Sequence, residues 1–343
     1  MKRPIISICI PTFNRGDFAY EAVNNVLKAW PGNEIEVVIS DNASQDNTLE
    51  LLDRIKDPRL KYYRNDFNCG AAYNTHLTFL RATGQFAYLT SDEDDLLTGE
   101  IPYLLNYFTE HPRTSVFIGG GDLTYTKKRF QDAVYNNSFE ALKAVAFQTR
   151  YMTGIILNQT MYAEQLTNIT LEESPRIWDA YSFMYAIAKL CCCGEVVTSS
   201  HLLFKQKRLK MTDISNNARN DGIYYYEPKG RMNQMHVWAN AICELPISLF
   251  EKQYMVIKII YDTIELATRI FIPGYVDEVR KTVPKSDFEV YEKRIASLEK
   301  SKMNDEFYRE GNDIFRELFG TGISECEDER LTAYQAERIR NLR

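Results

Sequence analysis

Short apolar runs alternate with segments of helical periodicity over roughly the first hundred residues, and this alternation limits the fold to few architectures. Four runs predict strands, at Ile5–Ile10, Ile35–Ser40, Leu60–Arg64 and Phe86–Thr90. Helical segments separate them, from Phe18 to Trp30, from Leu49 to Ile55, and from after Gly70 to near Gly84. Apolar strands joined by helices form parallel sheets covered on both faces. The sequence therefore predicts an α/β fold with a Rossmann-like, mostly parallel sheet flanked by helices.

The pattern changes along the rest of the chain. An apolar strand beginning at Val116 leads into Gly119–Gly121, and Trp178–Leu190 has the spacing of a helix. Beyond about Asn233 nearly every segment is amphipathic and helical. One such face is formed by Phe288, Tyr291, Ile295 and Leu298. We expect an α/β domain at residues 1–210 and a mainly helical C-terminal region at residues 211–343.

Charge and hydropathy exclude two classes of protein. The chain has a net charge of -6, which argues against a general nucleic-acid binder. Its most apolar later stretch, Tyr254–Ile272, is interrupted by charged residues and predicts no membrane span. Ile5–Ile10 is too short for a secretory signal. We therefore expect a cytoplasmic protein, and peripheral contact with the inner face of the membrane is compatible with the sequence.

Polar residues follow three of the predicted strands. Thr12 and Asn14 follow the first strand, Asp41 and Asn42 follow the second, and Asp92–Asp95 follows the fourth. Ligands of parallel α/β sheets bind beyond the carboxyl ends of the strands, where loops and helix N-termini converge. We expect these three segments to meet at one crevice.

The acidic cluster Asp92–Asp95 indicates a divalent metal. Four consecutive acids repel one another and are most readily tolerated when a cation neutralises them. Hard carboxylate oxygens suit Mg²⁺ or Mn²⁺, which commonly bridge to substrate phosphates. A diphosphate ligand is therefore expected. The alternative is a solvated capping loop before a helix at Ile101–Tyr107, and Asp41 alone also fits an Asx-turn.

Two familiar phosphate-binding motifs are absent from the sequence. It contains no G-x-x-x-x-G-K-[ST] loop, and the first strand leads into Pro-Thr-Phe-Asn rather than a glycine fingerprint. P-loop and nicotinamide enzymes are therefore disfavoured. Gly119–Gly121 lacks the rest of a G-x-G-x-x-G motif and predicts a tight turn or an approach point for substrate.

Several motifs together resemble family 2 glycosyltransferases of the GT-A fold. The resemblance begins with Ile8–Arg15 (ICIPTFNR) and Ser40–Asp46 (SDNASQD), and continues in the family's order with Asn68-Cys69-Gly70, Asn74, Ala82-Thr83-Gly84 and Leu89–Asp95. It covers residues 1–210, with nothing recognisable beyond them. It implies an inverting, metal-dependent transferase of the bacterial surface-polysaccharide type. The implied partners are a nucleotide-sugar donor, UDP-sugar by default, and a glycan or lipid-linked acceptor, with Mn²⁺ or Mg²⁺ as cofactor.

The resemblance also implies residue roles. Thr12 and Asp41 would contact the base and ribose of the donor, Asp92 would approach the ribose, and Asp94 would bind the metal together with Asp92. The implied donor-binding set is Pro11, Thr12, Asn14, Arg15, Asp41, Asn42, Asn68, Gly70, Asn74, Asp92 and Glu93.

The family places an acidic catalytic base at the start of a helix well beyond the acidic cluster, and the segment IWDAY is similar to that helix start. Asp179 is the implied catalytic base, with Glu172 and Glu173 as alternatives. The segment departs from the family at Trp178, where an acid often stands. Taken without the resemblance, Asp179 is interpreted as a helix cap.

Basic residues follow the next predicted strand. They are His201, Lys205, Lys207 and Arg208. Such cations can stabilise a departing diphosphate, and the alternative is a solvated basic turn.

The helical region is interpreted as a site for acceptor binding, homo-oligomerisation or membrane contact. An aromatic group within it fits an acceptor groove or packing between domains, and comprises Tyr224–Tyr226, Arg231, His236 and Trp238. Two other functions fit the same pattern. One is a sugar nucleotidyltransferase, which releases pyrophosphate, and the other is a noncatalytic partner in a glycan-assembly complex that docks through the helical region.

Overall fold

Nine strands form one sheet within the part of the chain that the structure describes. This computed structural model describes residues 3–123, 130–148, 151–173, 182–207, 228–266 and 300–342. The strands are β1 Ile6–Thr12, β2 Ile35–Asp41, β3 Leu60–Arg64, β4 Phe86–Leu89, β5 Asp95–Leu96, β6 Thr114–Asp122, β7 Ala133–Tyr135, β8 Ile155–Asn158 and β9 Glu195–Lys205. Their order is β3-β2-β1-β4-β8-β6-β9-β5, and β7 also pairs with β9.

Helices cover this sheet. They are α1 Gly16–Ala29, α2 Thr48–Asp53, α3 Ala71–Arg81, α4 Ile101–Glu110, α5 Ser138–Val145, α6 Gln159–Leu166 and α7 Ser182–Leu190, with a short 3₁₀ turn at Thr98–Glu100. The predicted elements around β1 to β4 lie within a few residues of these bounds.

Strands β1 to β4 run parallel. Strands β1, β2 and β4 are covered on both faces, whereas the edge strand β3 has its alternate residues Lys61 and Tyr63 exposed. Alternate residues of a strand point to opposite faces, and β1 uses both faces for packing. Ile8 packs in the same buried cluster as Val23 of α1. On the other face the Cys9 thiol lies 4.0 Å from the Thr78 carbonyl of α3. Every residue of β2 is buried, and most of them are apolar, which is the pattern that predicted this strand.

Beyond β4 the sheet is mixed. Strand β8 pairs antiparallel with β4 and with β6. Strands β5 and β7 also pair antiparallel with β9, whereas β6 and β9 are parallel. The predicted α/β fold is confirmed, but its parallel arrangement is limited to β1–β4 and to the β6–β9 pair. The sequence did not predict the antiparallel pairing because β8 is buried throughout. A buried apolar run gives no indication of the direction in which the strand runs.

The glycines at 119–121 lie inside β6, so the predicted tight turn is wrong. A Cβ on Gly121 would come within 2.2 Å of the Phe204 ring, and one on Gly120 within 2.6 Å of the Ser200 carbonyl oxygen. The glycines therefore allow β9 to approach β6 closely, which accounts for them without a turn.

The chain divides into two units, Met1–Arg208 and Leu209–Arg343. The boundary predicted between residues 210 and 211 falls in a stretch outside the described residues. The described helices of the second unit are α8 Pro228–Cys243, α9 Leu249–Leu266, α10 Lys300–Phe319 and α11 Glu329–Leu342.

Buried aromatic residues and ion pairs hold the second unit together. Phe307 and Phe315 of α10 are buried. Arg338 of α11 bridges two acids of α9, with 2.6 Å to Asp262 and 3.3 Å to Glu265. The predicted face from Phe288 to Leu298 lies outside the described residues. Among the helices that are described, none combines the length and apolarity that a membrane crossing requires.

Candidate functional site

The ends of β1, β2 and β4 bring the predicted polar segments together. Thr12 and Asp41 are register partners at the ends of β1 and β2. The Thr12 hydroxyl donates to Asp92 Oδ2 at 2.7 Å, so the residue after β1 contacts the acidic cluster that follows β4. Because all three strands are parallel, their carboxyl ends lie on one edge of the sheet.

Arg15 is the main cation of the acidic cluster. Its guanidinium donates to Asp92 Oδ1 at 3.3 Å and also binds the Glu93 carboxylate. Asp92 and Asp94 are each only 5% exposed. Burial raises the pKa of Asp92, against the opposing effects of Arg15 and Thr12. Burial also raises the pKa of Glu93 to about 7, with Arg15 lowering it and the carboxylates of Asp92 and Asp94 adding to the rise.

Asp94 is held by hydrogen bonds from neutral groups. The Tyr151 hydroxyl donates to Asp94 Oδ1 at 2.6 Å, and the Thr153 hydroxyl donates to Asp94 Oδ2 at 2.5 Å. The backbone N–H of Lys207 donates to the same carboxylate. Burial raises the pKa of Asp94, and the hydroxyl donors partly offset that rise.

Asp41 is fully buried at the end of β2. Its Oδ1 accepts the Ser44 N–H at 2.9 Å, and its Oδ2 accepts the Tyr62 hydroxyl at 2.7 Å, with Arg64 Nε 3.4 Å away. Asp41 thus makes a local side-chain contact with the backbone three residues on, but not the Asx-turn that would cap the next helix. Asp46, rather than Asp41, accepts the Thr48 N–H at the start of α2.

The loops after β1 and β2 are joined to each other. The Asn14 N–H donates to the Ser44 hydroxyl at 2.8 Å, and Asn14 Oδ1 accepts the Gln45 N–H at 2.7 Å. Asn14 has a φ of 53°, a conformation that asparagine tolerates better than most residues. Pro11 pairs in register with Ser40 just before these loops.

A network of amide side chains continues from Asn42. Its Nδ2 donates to Asn68 Oδ1 at 2.7 Å, and its Oδ1 accepts the Cys69 N–H at 3.0 Å. Asn68 Oδ1 also accepts the Gly70 N–H at 2.9 Å. Asn74 donates to the Ser40 carbonyl at 2.8 Å. The motif residues Asn42, Asn68, Gly70 and Asn74 thus shape one edge of the crevice.

The predicted basic residues divide between roles. Lys207 Nζ lies 2.9 Å from Asp95, the last acid of the cluster, and 3.7 Å from Glu21. His201 Nε2 lies 2.5 Å from Glu100, and its ring stacks on Tyr103. The backbone of Lys205 pairs with Asp95 and Asp122 in the sheet, and Arg208 lies outside the described residues.

The predicted base, Asp179, lies outside the described residues, as does Trp178. Of its alternatives, Glu172 makes no side-chain hydrogen bond or ion pair with another described residue, whereas Glu173 accepts the Thr170 N–H at 3.1 Å in a local turn. Asp179 therefore stays a prediction.

The predicted aromatic group of the second unit is described only in part. Tyr224–Tyr226 lies outside the described residues. Arg231 and Trp238 are buried, and His236 Nε2 lies 2.6 Å from Glu310.

Tyr151 and Thr153 were missed by the sequence interpretation. They stand 57 and 59 residues from Asp94 in the chain. Neither belongs to a periodic run or a motif that would have drawn attention to it. Their contact with Asp94 follows from the pairing of β8 with β4, which the apolar runs alone did not predict.

Sequence comparisons identify the first unit. Residues 7–162 match the sequence model of Glycosyl transferase family 2. Abequosyltransferase RfbV of Salmonella typhimurium is 33% identical over 107 residues, which are 30% of this chain and 32% of that protein. UDP-Glc:alpha-D-GlcNAc-diphosphoundecaprenol beta-1,3-glucosyltransferase WfaP of Escherichia coli is 33% identical over 90 residues, 26% of this chain and 36% of that protein. The alignments span about a third of the length of these relatives.

A solved structure extends the likeness of fold. The crystal structure of S. aureus TarS 1-349 matches with a TM-score of 0.61 at 12% identity, covering 98% of this chain and 89% of that chain. A structure of the same TarS fragment in complex with UDP-GlcNAc matches with a TM-score of 0.59, at 12% identity and over 98% of this chain and 90% of that one. At this identity the likeness concerns the fold alone.

The fold is GT-A-like, as in the solved structure that it resembles. Within that fold, residues 7–162 match glycosyltransferase family 2.

Proposed function

We propose that the chain is an inverting glycosyltransferase of surface-polysaccharide synthesis. It transfers a sugar from a nucleoside diphosphate donor, UDP by default, to a hydroxyl of a glycan or lipid-linked acceptor. The single observation that carries the proposal is the contact between Thr12 and Asp92, which joins the end of β1 to the acidic cluster after β4. This contact places a buried acidic cluster at the sheet edge where α/β folds bind their ligands.

The names of similar proteins support this choice of donor and acceptor. RfbV is named as a sugar transferase, and the name of WfaP specifies UDP-Glc and a diphosphoundecaprenol-linked acceptor. TarS has been solved with UDP-GlcNAc. We infer a UDP-sugar donor and a glycan or lipid-linked acceptor for this chain, with transfer at the inner face of the membrane.

The acidic cluster fits a divalent cation. Among the described residues no group of three or more His, Cys, Asp or Glu side chains is arranged to hold a metal. Mg²⁺ and Mn²⁺ sites of this kind need fewer protein ligands, because one or two carboxylates act together with substrate phosphates and water. Asp94 and Asp92 are the residues that would hold the ion. Burial and the neighbouring carboxylates make the charged forms of these acids unfavourable, and a bound cation would offset that cost.

The proposed reaction is a single in-line displacement. Asp179 accepts the proton of the acceptor hydroxyl while that oxygen bonds to the anomeric carbon of the donor sugar. The bond between the anomeric carbon and the diphosphate oxygen breaks, and UDP leaves from the opposite side, so the configuration inverts. A bound Mg²⁺ or Mn²⁺ supplies positive charge next to the departing diphosphate. The chain's own part is to orient the donor between Thr12, Asp41 and the cluster.

A donor assay tests this proposal. The full chain is incubated with a panel of nucleotide sugars and Mn²⁺, and both thermal stabilisation and nucleotide release are measured. We expect stabilisation by one nucleotide series and release of its nucleoside diphosphate, faster when the acceptor is present. Release of pyrophosphate from a sugar phosphate and a nucleoside triphosphate would instead identify a nucleotidyltransferase. If no donor binds and none is turned over, the noncatalytic alternative is favoured instead.

A further inference from the structure

Two hydroxyl groups from one segment converge on Asp94. Tyr151 and Thr153 lie just before β8, and each donates to a different oxygen of the Asp94 carboxylate, at 2.6 and 2.5 Å. Thr153 is fully buried, and Asp94 is 5% exposed. Both ends of the carboxylate are therefore fixed by the same short segment.

The Thr153 hydroxyl has a defined direction. The backbone N–H of Ser91 donates to Thr153 Oγ1 at 2.9 Å. A backbone N–H can only donate, so the hydroxyl accepts from Ser91 and uses its own proton for Asp94. Thr153 thus connects Ser91, two residues after the end of β4, to the carboxylate three residues later.

Tyr151 is fixed by stacking. Its ring lies nearly parallel to that of Phe204 in β9, with an interplanar angle of 2° and ring centroids 5.5 Å apart. The stacking orients the hydroxyl towards Asp94 Oδ1. A side chain of β9 therefore supports Tyr151, which contacts the carboxylate.

Asp92 and Asp94 differ in how they are held. Asp92 is paired with the cation Arg15. Within the described part of the chain Asp94 makes no ion pair, and the groups that donate to its carboxylate are neutral. A carboxylate oxygen accepts about two hydrogen bonds or metal bonds. The two hydroxyls and the Lys207 N–H take three of the roughly four acceptor directions, leaving negative charge and one direction for a cation.

We propose that Tyr151 and Thr153 are positioning residues that orient the Asp94 carboxylate for metal binding. This inference rests on the proposed function, because it assumes that Asp94 binds the metal. Ligating carboxylates are commonly held by hydrogen-bonding partners, and loss of such a partner typically weakens metal binding by about 10- to 100-fold. Thr153 is the more important of the two, since it also anchors the Ser91 backbone.

Mn²⁺ binding measures this role directly. The full chain with UDP is titrated with Mn²⁺, and the free ion is followed by electron paramagnetic resonance, without turnover. The variants are Thr153→Val, which keeps the shape but loses the hydroxyl, Thr153→Ser, which keeps the hydroxyl, and Tyr151→Phe. Asp94→Asn serves as the reference for loss of a metal ligand.

We expect Mn²⁺ affinity to fall by about 10- to 100-fold in Thr153→Val, to fall less in Tyr151→Phe, and to stay within about threefold of the original in Thr153→Ser. Thermal unfolding of each variant separates weaker binding from poorer folding. If Thr153→Val does not fold, the Mn²⁺ affinity of Tyr151→Phe is compared with that of Thr153→Ser. Weaker binding in Tyr151→Phe alone would still support the positioning role, and equal affinities would contradict it.

Two results would overturn the proposal in distinguishable ways. If Asp94→Asn loses Mn²⁺ binding while Thr153→Val and Tyr151→Phe bind as tightly as the unaltered chain, the positioning role is wrong and the metal site stands. If the unaltered chain with UDP binds no Mn²⁺, the metal role of Asp94 fails, and the positioning role fails with it.

Discussion

Buried carboxylates lie at both ends of the parallel strands, and their surroundings differ. Glu36, near the start of β2, is 2% exposed. It accepts the Ser7 hydroxyl at 2.6 Å, and it accepts the N–H and hydroxyl of Thr83 at 2.7 and 2.8 Å. Gly84 N–H adds a fourth donor at 3.3 Å. At the other end, Asp92, Glu93 and Asp94 lie side by side with Arg15 as their main cation.

This difference separates a structural acid from a candidate ligand-binding cluster. Glu36 is a single charge whose oxygens are occupied by neutral donors, all from the chain segments that it joins. The cluster has more negative charge than Arg15 can balance, and burial raises the pKa values of its acids. Burial of an acid is therefore a weak sign of function, whereas unbalanced charge at the carboxyl ends of strands is a stronger one.

The largest expected effect tests the cluster. Asp94→Asn keeps the shape of the side chain but removes its charge, so the chain should fold normally while sugar transfer falls at least about 100-fold. Initial rates of UDP release with saturating Mn²⁺ measure this loss. Asp53→Asn, at an exposed acid of α2, is the matched control and should transfer at the original rate. Near-normal transfer by Asp94→Asn would remove Asp94 from the reaction.

The next effect tests the opposite end of the sheet. Glu36→Gln keeps the shape but offers one acceptor oxygen and introduces an NH₂ group where donors converge, so at least one buried donor loses its partner. We expect the free energy of unfolding to fall by about 3 kcal/mol, with the KM for the donor unchanged. Urea denaturation and donor kinetics on the same preparation give both quantities.

Glu50→Gln is the surface control for this change. Glu50 is exposed and pairs with Arg54 one helical turn away, so its loss should alter stability by less than about 1 kcal/mol. A raised donor KM in Glu36→Gln at unchanged stability would contradict the division into a structural end and a functional end.

The first four strands and the polar strand ends could be predicted because their signals are local. Ile35–Asp41 is buried throughout, and its sequence is apolar from Val37 to Ile39 with Ile35 before Glu36, so the acid Asp41 stands just after the apolar run stops. The same reasoning located Thr12 and the acids after β4. Each of these features depends on neighbours in sequence and on a general rule of parallel sheets.

The rest of the site depends on contacts that no local pattern encodes. The direction of β8 is fixed by the chain path, and that direction brings Tyr151 and Thr153 to Asp94. The turn predicted at Gly121 was wrong because a glycine is needed there to leave room for the Phe204 ring, which belongs to another strand. Arg15 was predicted to bind the donor, and only the folded chain shows it paired with Asp92 and Glu93.

A third prediction concerns a titrating group in the helical layer that covers the sheet. His76 of α3 is fully buried, its Nδ1 lies 2.7 Å from the Tyr162 hydroxyl, and burial lowers its pKa to about 4. In the unfolded chain the His76 imidazole has a pKa of about 6.5, so between about pH 4 and pH 6.5 the unfolded chain binds the proton more readily than the folded one. Stability is therefore retained above about pH 6.5 and lost as pH falls towards 4.

At pH 5 this loss amounts to about 2 kcal/mol relative to pH 7. Urea denaturation at both pH values measures it. His76→Gln removes the titrating ring, so its unfolding free energy should depend less on pH over this range, whatever the variant's absolute stability. An equal pH dependence in both proteins would show that other groups cause the acid sensitivity.

The smallest expected effect tests whether the acidic cluster can bind an added cation, which Glu36, surrounded by donors, is not expected to do. Arg15 supplies positive charge beside Asp92 and Glu93, so it opposes any added cation in the absence of nucleotide. Arg15→Gln removes that opposition. Two unit charges about 4 Å apart in water interact by about 1 kcal/mol, and a divalent ion at a buried cluster experiences at least that much. Mn²⁺ binding without nucleotide should therefore tighten at least about fivefold. With UDP present the gain should shrink or reverse, because Arg15 is also predicted to contact the donor. If Arg15→Gln leaves the binding of Mn²⁺ alone unchanged, the charge of the cluster does not control cation binding. The contrast between the acidic cluster and Glu36, at opposite ends of the parallel strands, would then no longer rest on charge.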